Sequence, residues 1–258
     1  MDFGLLILIF MIGIIGSYIS GLVGIGGAII NYPMLLFIPT LFGFEAFSAH
    51  EVSGISAIQV LFSTLGGVYV YRKGNYLNKP LIGYMGISIL IGSFLGGFGS
   101  RFAAESSINL VYGILALLAA VMMCIPKKVI DDIPFEKVKF NKRLAVLLAF
   151  FVGAVAGIVG AGGSFLIVPI MLSVLKIPTR MAIASSFAVT FISSIGSTMG
   201  KVTTGQVDYL PALVLVIASL IASPLGAITG KRVNTKVLQF ILALLILATA
   251  VRSWIDIL

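Results

Sequence analysis

Gly21-Leu22-Val23-Gly24-Ile25-Gly26-Gly27-Ala28-Ile29-Ile30-Asn31-Tyr32-Pro33 returns without a gap as Gly157-Ile158-Val159-Gly160-Ala161-Gly162-Gly163-Ser164-Phe165-Leu166-Ile167-Val168-Pro169. Two further pairs extend the match. Ser63-Thr64-Leu65-Gly66 answers to Ser197-Thr198-Met199-Gly200, and Ser93-Phe94-Leu95-Gly96 to Ser223-Pro224-Leu225-Gly226. The offset drifts from 136 to 134 to 130, as small loop deletions produce. Self-similarity over that distance means that the chain is two related halves.

What surrounds the repeat is almost entirely apolar. Of 258 residues, 59% are hydrophobic and only 10% charged, and the mean hydropathy is +1.16. Soluble domains carry about 25% charged residues. Apolar segments fall near 3–22, 26–42, 51–71, 81–100 and 107–125, then near 144–160, 163–175, 182–200, 210–230 and 237–255. At ~20 residues per crossing, the length accommodates about ten spans and no sizeable soluble domain. The expected organisation is a first transmembrane repeat at 1–125, a polar linker at 126–143 and a second repeat at 144–258. Met1-Asp2 leads straight into an apolar stretch without a basic region or small-residue cleavage site, so it reads as a retained first helix. Cys124 is the single cysteine, so no internal disulfide forms.

The net charge of +8 does not point to nucleic acid, because the cations sit in short loops, where they set orientation. With five spans per half, one side of the membrane receives fourteen Lys and Arg residues, including the linker cations; the other receives Arg101, Lys201 and Arg252. That bias favours ten spans, a cytoplasmic linker and extracytoplasmic termini. An odd number of spans per half makes the repeats inverted. The expected fold is thus an all-α polytopic membrane protein of two inverted five-span repeats, each with a Gly/Pro-broken second span.

The motif Gly-x-x-Gly-x-Gly-Gly-x(5)-Pro opens the second span of each half, and Gly205-Gln206-Val207-Asp208 forms a further turn, degenerate in the first half as Gly74-Asn75-Tyr76-Leu77. With these features and the charged central linker, the chain resembles the sulfite exporter TauE/SafE family of membrane permeases over its whole length. The resemblance implies transport of sulfur oxyanions or small organosulfonates across a plasma membrane.

Three groups of residues could carry transport. Gly24, Gly26 and Gly27, with Gly160, Gly162 and Gly163, permit backbone conformations closed to other residues. A broken helix entered through such a turn points free amides and a positive helix end into a cavity, which suits an anion. The alternative is that these glycines serve close packing alone. In the third span of each half, Ser53, Ser56, Gln59 and Ser63 share a helix face, as do Ser186, Thr190, Ser193 and Ser197. Neutral donors bind an oxyanion without a charge at mid-bilayer, which costs about 2.5–3.5 kcal/mol on insertion scales; interhelical bonding is the competing role. Asn31 and Ser164, just inside the broken segments, complete the candidate set. Ser48-Ala49-His50-Glu51 reads as a capping box rather than a proton relay. Arg101 and Lys231 match across the halves and could draw anions toward opposite vestibules or simply snorkel. Gly92, Gly96, Gly99, Gly226 and Gly230 read as packing faces.

No catalytic residue, metal-ligand spacing or cofactor motif is expected. The one histidine is at a span end, and no Asp or Glu lies inside a span, so an intramembrane enzyme is the weaker reading. The expected partners are a small anionic substrate and the lipid bilayer, with no nucleic acid. A coupling ion, proton or sodium, and the oligomeric state are left open by the residues. An alternating-access carrier is the favoured mechanism; an anion channel or a carrier of another solute is the alternative.

Overall fold

The computed structural model describes residues 2–72, 76–124, 138, 140–234, 236–238, 240, 241 and 244. The expected linker and most of the segment near 237–255 fall outside these residues. The described secondary structure is helical: α1 (Phe3–Val23), α2 (Ala28–Leu41), α3 (Ala49–Tyr71), α4 (Lys79–Gly99), α5 (Glu105–Cys124), α6 (Lys142–Val159), α7 (Ser164–Ser173), α8 (Thr179–Thr203) and α9 (Tyr209–Arg232). Seven helices among the described residues are long and apolar enough to cross a membrane; α2 and α7 are the short ones.

Helix starts repeat between the halves. Asp2 caps α1 and Asn141 caps α6, while Asn78 caps α4 and Asp208 caps α9, each side chain accepting an early backbone amide. The expected capping box at α3 is present: Ser48 Oγ accepts from Glu51 N at 3.2 Å, and Glu51 Oε2 accepts from Ser48 N at 2.8 Å.

The second helix of each half is short and carries proline. α2 has 14 residues and α7 has 10. At 1.5 Å per residue they reach roughly 21 and 15 Å, well under the ~30 Å of hydrocarbon. Pro33 lies inside α2 and lacks the N–H that the Ile29 carbonyl would accept. The Tyr112 hydroxyl, reaching across from α5, donates to that carbonyl at 2.7 Å. Tyr112 also stacks on Tyr32 with centroids 4.6 Å apart.

Contacts fix the relative directions of six helices. Ser88 Oγ donates to Val146 O, and Gly97 lies against Gly157, so α4 and α6 run the same way. Gly13 meets Leu215 and Gly230 meets Leu22, which makes α1 parallel to α9. Ser223 Oγ donates to Ser63 O and Lys231 Nζ to Val70 O, aligning α9 with α3. Gly86 meets Ile192 and Gly200 meets Phe98, aligning α4 with α8. By contrast, Lys201 near the end of α8 meets Ser53 near the start of α3, whereas Phe187 meets Gly67. So α3 and α8 are antiparallel, and α1, α3 and α9 oppose α4, α6 and α8.

Small residues make these approaches possible, as the sequence led us to expect. A Cβ on Gly96 would lie 1.9 Å from Ala154 O, and one on Gly226 would lie 2.0 Å from Tyr18 O. Gly99 is the correction: nothing lies within 4 Å of its Cβ position, so it serves no packing face. Ser93 and Ser223, a matched pair, each donate to a backbone carbonyl of the other half's third helix, Ser193 O at 2.7 Å and Ser63 O at 2.6 Å. Large apolar side chains such as Ile87, Leu118 and Leu213 remain exposed on the outer faces, where lipid would cover them.

Candidate functional site

Six of the eight motif glycines adopt positive φ: Gly24 84°, Gly26 71°, Gly27 103°, Gly160 74°, Gly162 61° and Gly163 72°, while Gly21 and Gly157 stay within α1 and α6. α1 stops because Gly24 turns left-handed, its amide bonding Ser20 O at 2.8 Å. α6 stops the same way at Gly160. Two glycines later each chain re-enters a helix without a side-chain cap. No described group accepts from the amides of Gly26, Gly27, Ala28 and Ile29. These are the unpaired donors of a helix start.

The two turns meet. A Cβ on Gly26 would lie 3.2 Å from Val60 Cγ1 and 3.3 Å from Thr190 Cγ2. One on Gly162 would lie 3.2 and 3.1 Å from the same two atoms. Val60 is the central residue of α3, and Thr190 lies one residue from the centre of α8. Both breaks therefore converge on the middle of the antiparallel α3–α8 pair.

The polar stripes line that pair and are wholly buried. Ser56 Oγ, Thr190 Oγ1, Ser193 Oγ, Ser63 Oγ and Gln59 Oε1 have no hydrogen-bond partner among the described residues. Other candidates are engaged. Ser186 Oγ donates to Gly24 O at 2.8 Å, tying α8 to the first turn. Ser53 Oγ donates to His50 O at 2.8 Å. Gln59 Nε2 donates to Ser17 Oγ at 3.0 Å and lies over Gly27. Asn31 does not face the other half: its amide packs over Gly16 of α1, where a Cβ would come within 1.6 Å of Oδ1. Ser164 opens α7, but its side chain lies outside the described residues.

Lys201 corrects the loop assignment made from charge alone. It belongs to α8 and is fully buried. Its ammonium donates to Ser53 Oγ at 2.7 Å, Ile158 O at 2.8 Å and Gln206 Oε1 at 3.0 Å, all neutral acceptors. The signal was available, since Lys201 lies four residues after Ser197 on the same helical face. Gln206 also accepts from Ser100 Oγ at 3.0 Å and meets His50 Nδ1 at 3.2 Å. His50 and Gln206 line an open cleft of about 520 Å³ together with Glu51, Asp208 and Tyr209. Arg101 lies over the Phe102 ring and Lys231 over the Tyr71 ring, so both matched cations rest against aromatic faces.

Helices of membrane length, broken in pairs at left-handed glycines, define a multi-pass membrane protein. The chain belongs to the sulfite exporter TauE/SafE family, whose sequence model matches residues 9–253. It is 25% identical to "Probable membrane transporter protein YunE" of Bacillus subtilis, over 93% of this chain and 94% of that one. A probable membrane transporter protein of Methanocaldococcus jannaschii is 28% identical, with 93% and 90% covered. One of Xylella fastidiosa is 24% identical, with 94% and 93% covered. No solved structure matches the chain.

Proposed function

We propose that the protein is a secondary transporter that moves small anions, sulfite or related sulfur oxyanions and organosulfonates, across the plasma membrane by alternating access. The observation that carries this reading is the convergence of both glycine turns on Val60 and Thr190. The anion sits between the turns, held by backbone amides at the helix starts and by Ser56, Thr190 and Ser193. Neutral donors suffice because their desolvation is already met within the fold, whereas a fixed charge at that depth is costly.

The directions of the helices support two inverted repeats of five spans. Three matched pairs, α1/α6, α3/α8 and α4/α9, each run opposite ways. Because α1 and α3 are parallel, the chain must return between them, so α2 and its glycine turn together make a crossing. With Lys201 buried rather than in a loop, the cation bias toward the linker side grows steeper. That bias supports extracytoplasmic termini. The family name supports sulfite as the first substrate to try.

The test is uptake of radiolabelled sulfite into proteoliposomes, with thiosulfate, sulfate and sulfoacetate as competitors. Saturable, protein-dependent uptake is expected, and the order of competition ranks the substrates. Absence of uptake under every imposed gradient, with protein shown to be folded, removes sulfite. Large unitary currents in planar bilayers would replace the carrier by a channel.

A further inference from the structure

The first half holds a polar cluster that the second half lacks. Asn31 Oδ1 and Nδ2, Gln59 Oε1 and Ser20 Oγ are buried without a partner among the described residues, and Ser17 Oγ touches the cluster through its bond from Gln59 Nε2. Asn31 lies over Gly16 and Gln59 over Gly27, and Gln59 Nε2 reaches Ser17 Oγ, so both amides sit between α1, α2 and α3. At the matched positions of the second half stand Gly153 for Ser17, Ala156 for Ser20, Ile167 for Asn31 and Ser193 for Gln59. A site serving the substrate from both repeats would be duplicated. This one is not.

We propose that this cluster binds a sodium ion that is carried together with the anion; the inference rests on reading the protein as a secondary anion transporter. The unpartnered atoms are mainly oxygens, the donor type that hard cations take. They lie against Gly16 and Ser17 of α1 and beside Gly27, so the oxygens themselves, and no helix end, would hold the ion. The cluster contains no carboxylate, imidazole or amine, so a proton has no group to titrate. Without a carboxylate, a divalent ion would lack the charge it usually requires. Asn31 joins the two ligands. Its backbone amide bonds Gly27 O at 3.0 Å, so its side chain rises one turn above the first glycine break. Through this helix start, which bears the cation's ligand on one side and the glycine turn on the other, each ion raises the occupancy of the other.

The experiment uses the full-length protein in detergent and in proteoliposomes. Thermal stability is measured against rising sodium chloride, with choline and potassium chloride at matched ionic strength, in wild type, Asn31→Ile and Gln59→Ser. Both substitutions introduce the residue carried by the other half. A saturable, sodium-specific rise in Tm is expected in the wild type, reduced at least about tenfold in sodium affinity in each variant, consistent with ~1.4 kcal/mol per decade. Anion uptake should then depend on an inward sodium gradient. No sodium-specific stabilisation of the wild type overturns the proposal even if anion uptake is robust. Equal stabilisation of all three proteins does the same, since the ion would bind elsewhere. If Asn31→Ile fails to fold, Gln59→Ser alone decides. Sodium-dependent stabilisation without uptake of any tested anion would keep the cation site and instead remove the anion reading.

Discussion

Lys201 Nζ donates to Ser53 Oγ at 2.7 Å, joining the end of α8 to the start of α3. The repeat relates this contact to a very different one. At the offset of 134, Ser53 corresponds to Phe187 and Lys201 to Gly67. A Cβ on Gly67 would come within 2.2 Å of the Phe187 ring. One end of the α3–α8 pair is thus closed by an ammonium among neutral acceptors. The other is closed by an aromatic ring that stacks on Tyr71 at 5.7 Å. A duplicated frame has acquired two unlike ends, one polar and cationic and one aromatic.

Lys201→Met separates a transport role from a structural one. Removing a buried charge and its desolvation cost is often neutral or stabilising when an apolar group of similar size replaces it. Gln206 Oε1 keeps Ser100 and His50 after the change and Ser53 keeps its own bond to His50 O, while Ile158 O loses its donor, which offsets part of that gain. The expected outcome is a Tm close to wild type with sulfite uptake lowered at least about tenfold, equivalent to ~1.4 kcal/mol. A large fall in Tm with uptake preserved per folded molecule would make Lys201 a structural staple.

Phe187→Ala tests the other end. The ring is fully buried against Gly67 and Tyr71, so its loss opens a cavity that helices cannot easily collapse. Such truncations cost about 3–5 kcal/mol. We expect a lower Tm together with a substrate leak that no longer saturates, read as efflux from preloaded proteoliposomes. Tight vesicles with the variant would show that Phe187 does not seal the path.

The helices and the glycine turns were legible because both leave strong local marks. A run of apolar residues between Asn141 and Gly160 can hardly be anything but a capped, glycine-terminated helix. Where the turns meet was not legible, because it depends on the antiparallel packing of α3 on α8 that brings Val60 and Thr190 together. Lys201 was not legible as a buried group, because a cation near a span end reads as loop charge unless its position on the Ser186–Ser197 face is counted. Ser17 and Ser20 were missed for another reason. They matter only through Asn31 and Gln59, which reach α1 by packing over Gly16 and Gly27, a contact no spacing rule encodes. Gly99 shows the converse error, a small residue in a packing pattern that touches nothing.

Gly26→Val and Gly162→Val should abolish uptake, and a control distinguishes strain from site damage. A side chain at positive φ costs about 1–2 kcal/mol wherever it is placed. Gly43 has φ 80° with nothing within 4 Å of its Cβ position, so Gly43→Ala carries that strain alone. At Gly26 and Gly162 the new side chain also enters the space between Val60 and Thr190. Gly43→Ala is therefore expected to lower Tm slightly and leave uptake near wild type, while folded Gly26→Val and Gly162→Val protein transports nothing. Wild-type flux in both valine variants would take the turns out of the substrate path.

The Tyr112–Ile29 bond gives the last prediction, because its cause can be reversed. Pro33 deprives Ile29 O of its helical donor, and the Tyr112 hydroxyl replaces it at 2.7 Å. Tyr112→Phe leaves a buried carbonyl unmet, at a cost of about 1–3 kcal/mol. Pro33→Ala restores an N–H at the position where an unbroken helix would supply it. If the tyrosine compensates for the proline, Tyr112→Phe should lower Tm clearly in the wild-type background and much less in the Pro33→Ala background, a coupling that a double-mutant cycle reads directly. Additive effects would mean that Tyr112 acts instead through its stacking on Tyr32, which Tyr112→Phe leaves intact. The same cycle carries a functional readout. The glycine turn that opens α2 is untouched by Pro33→Ala, so uptake per folded molecule is expected to stay near wild type, and its loss would place the proline itself in the transport step.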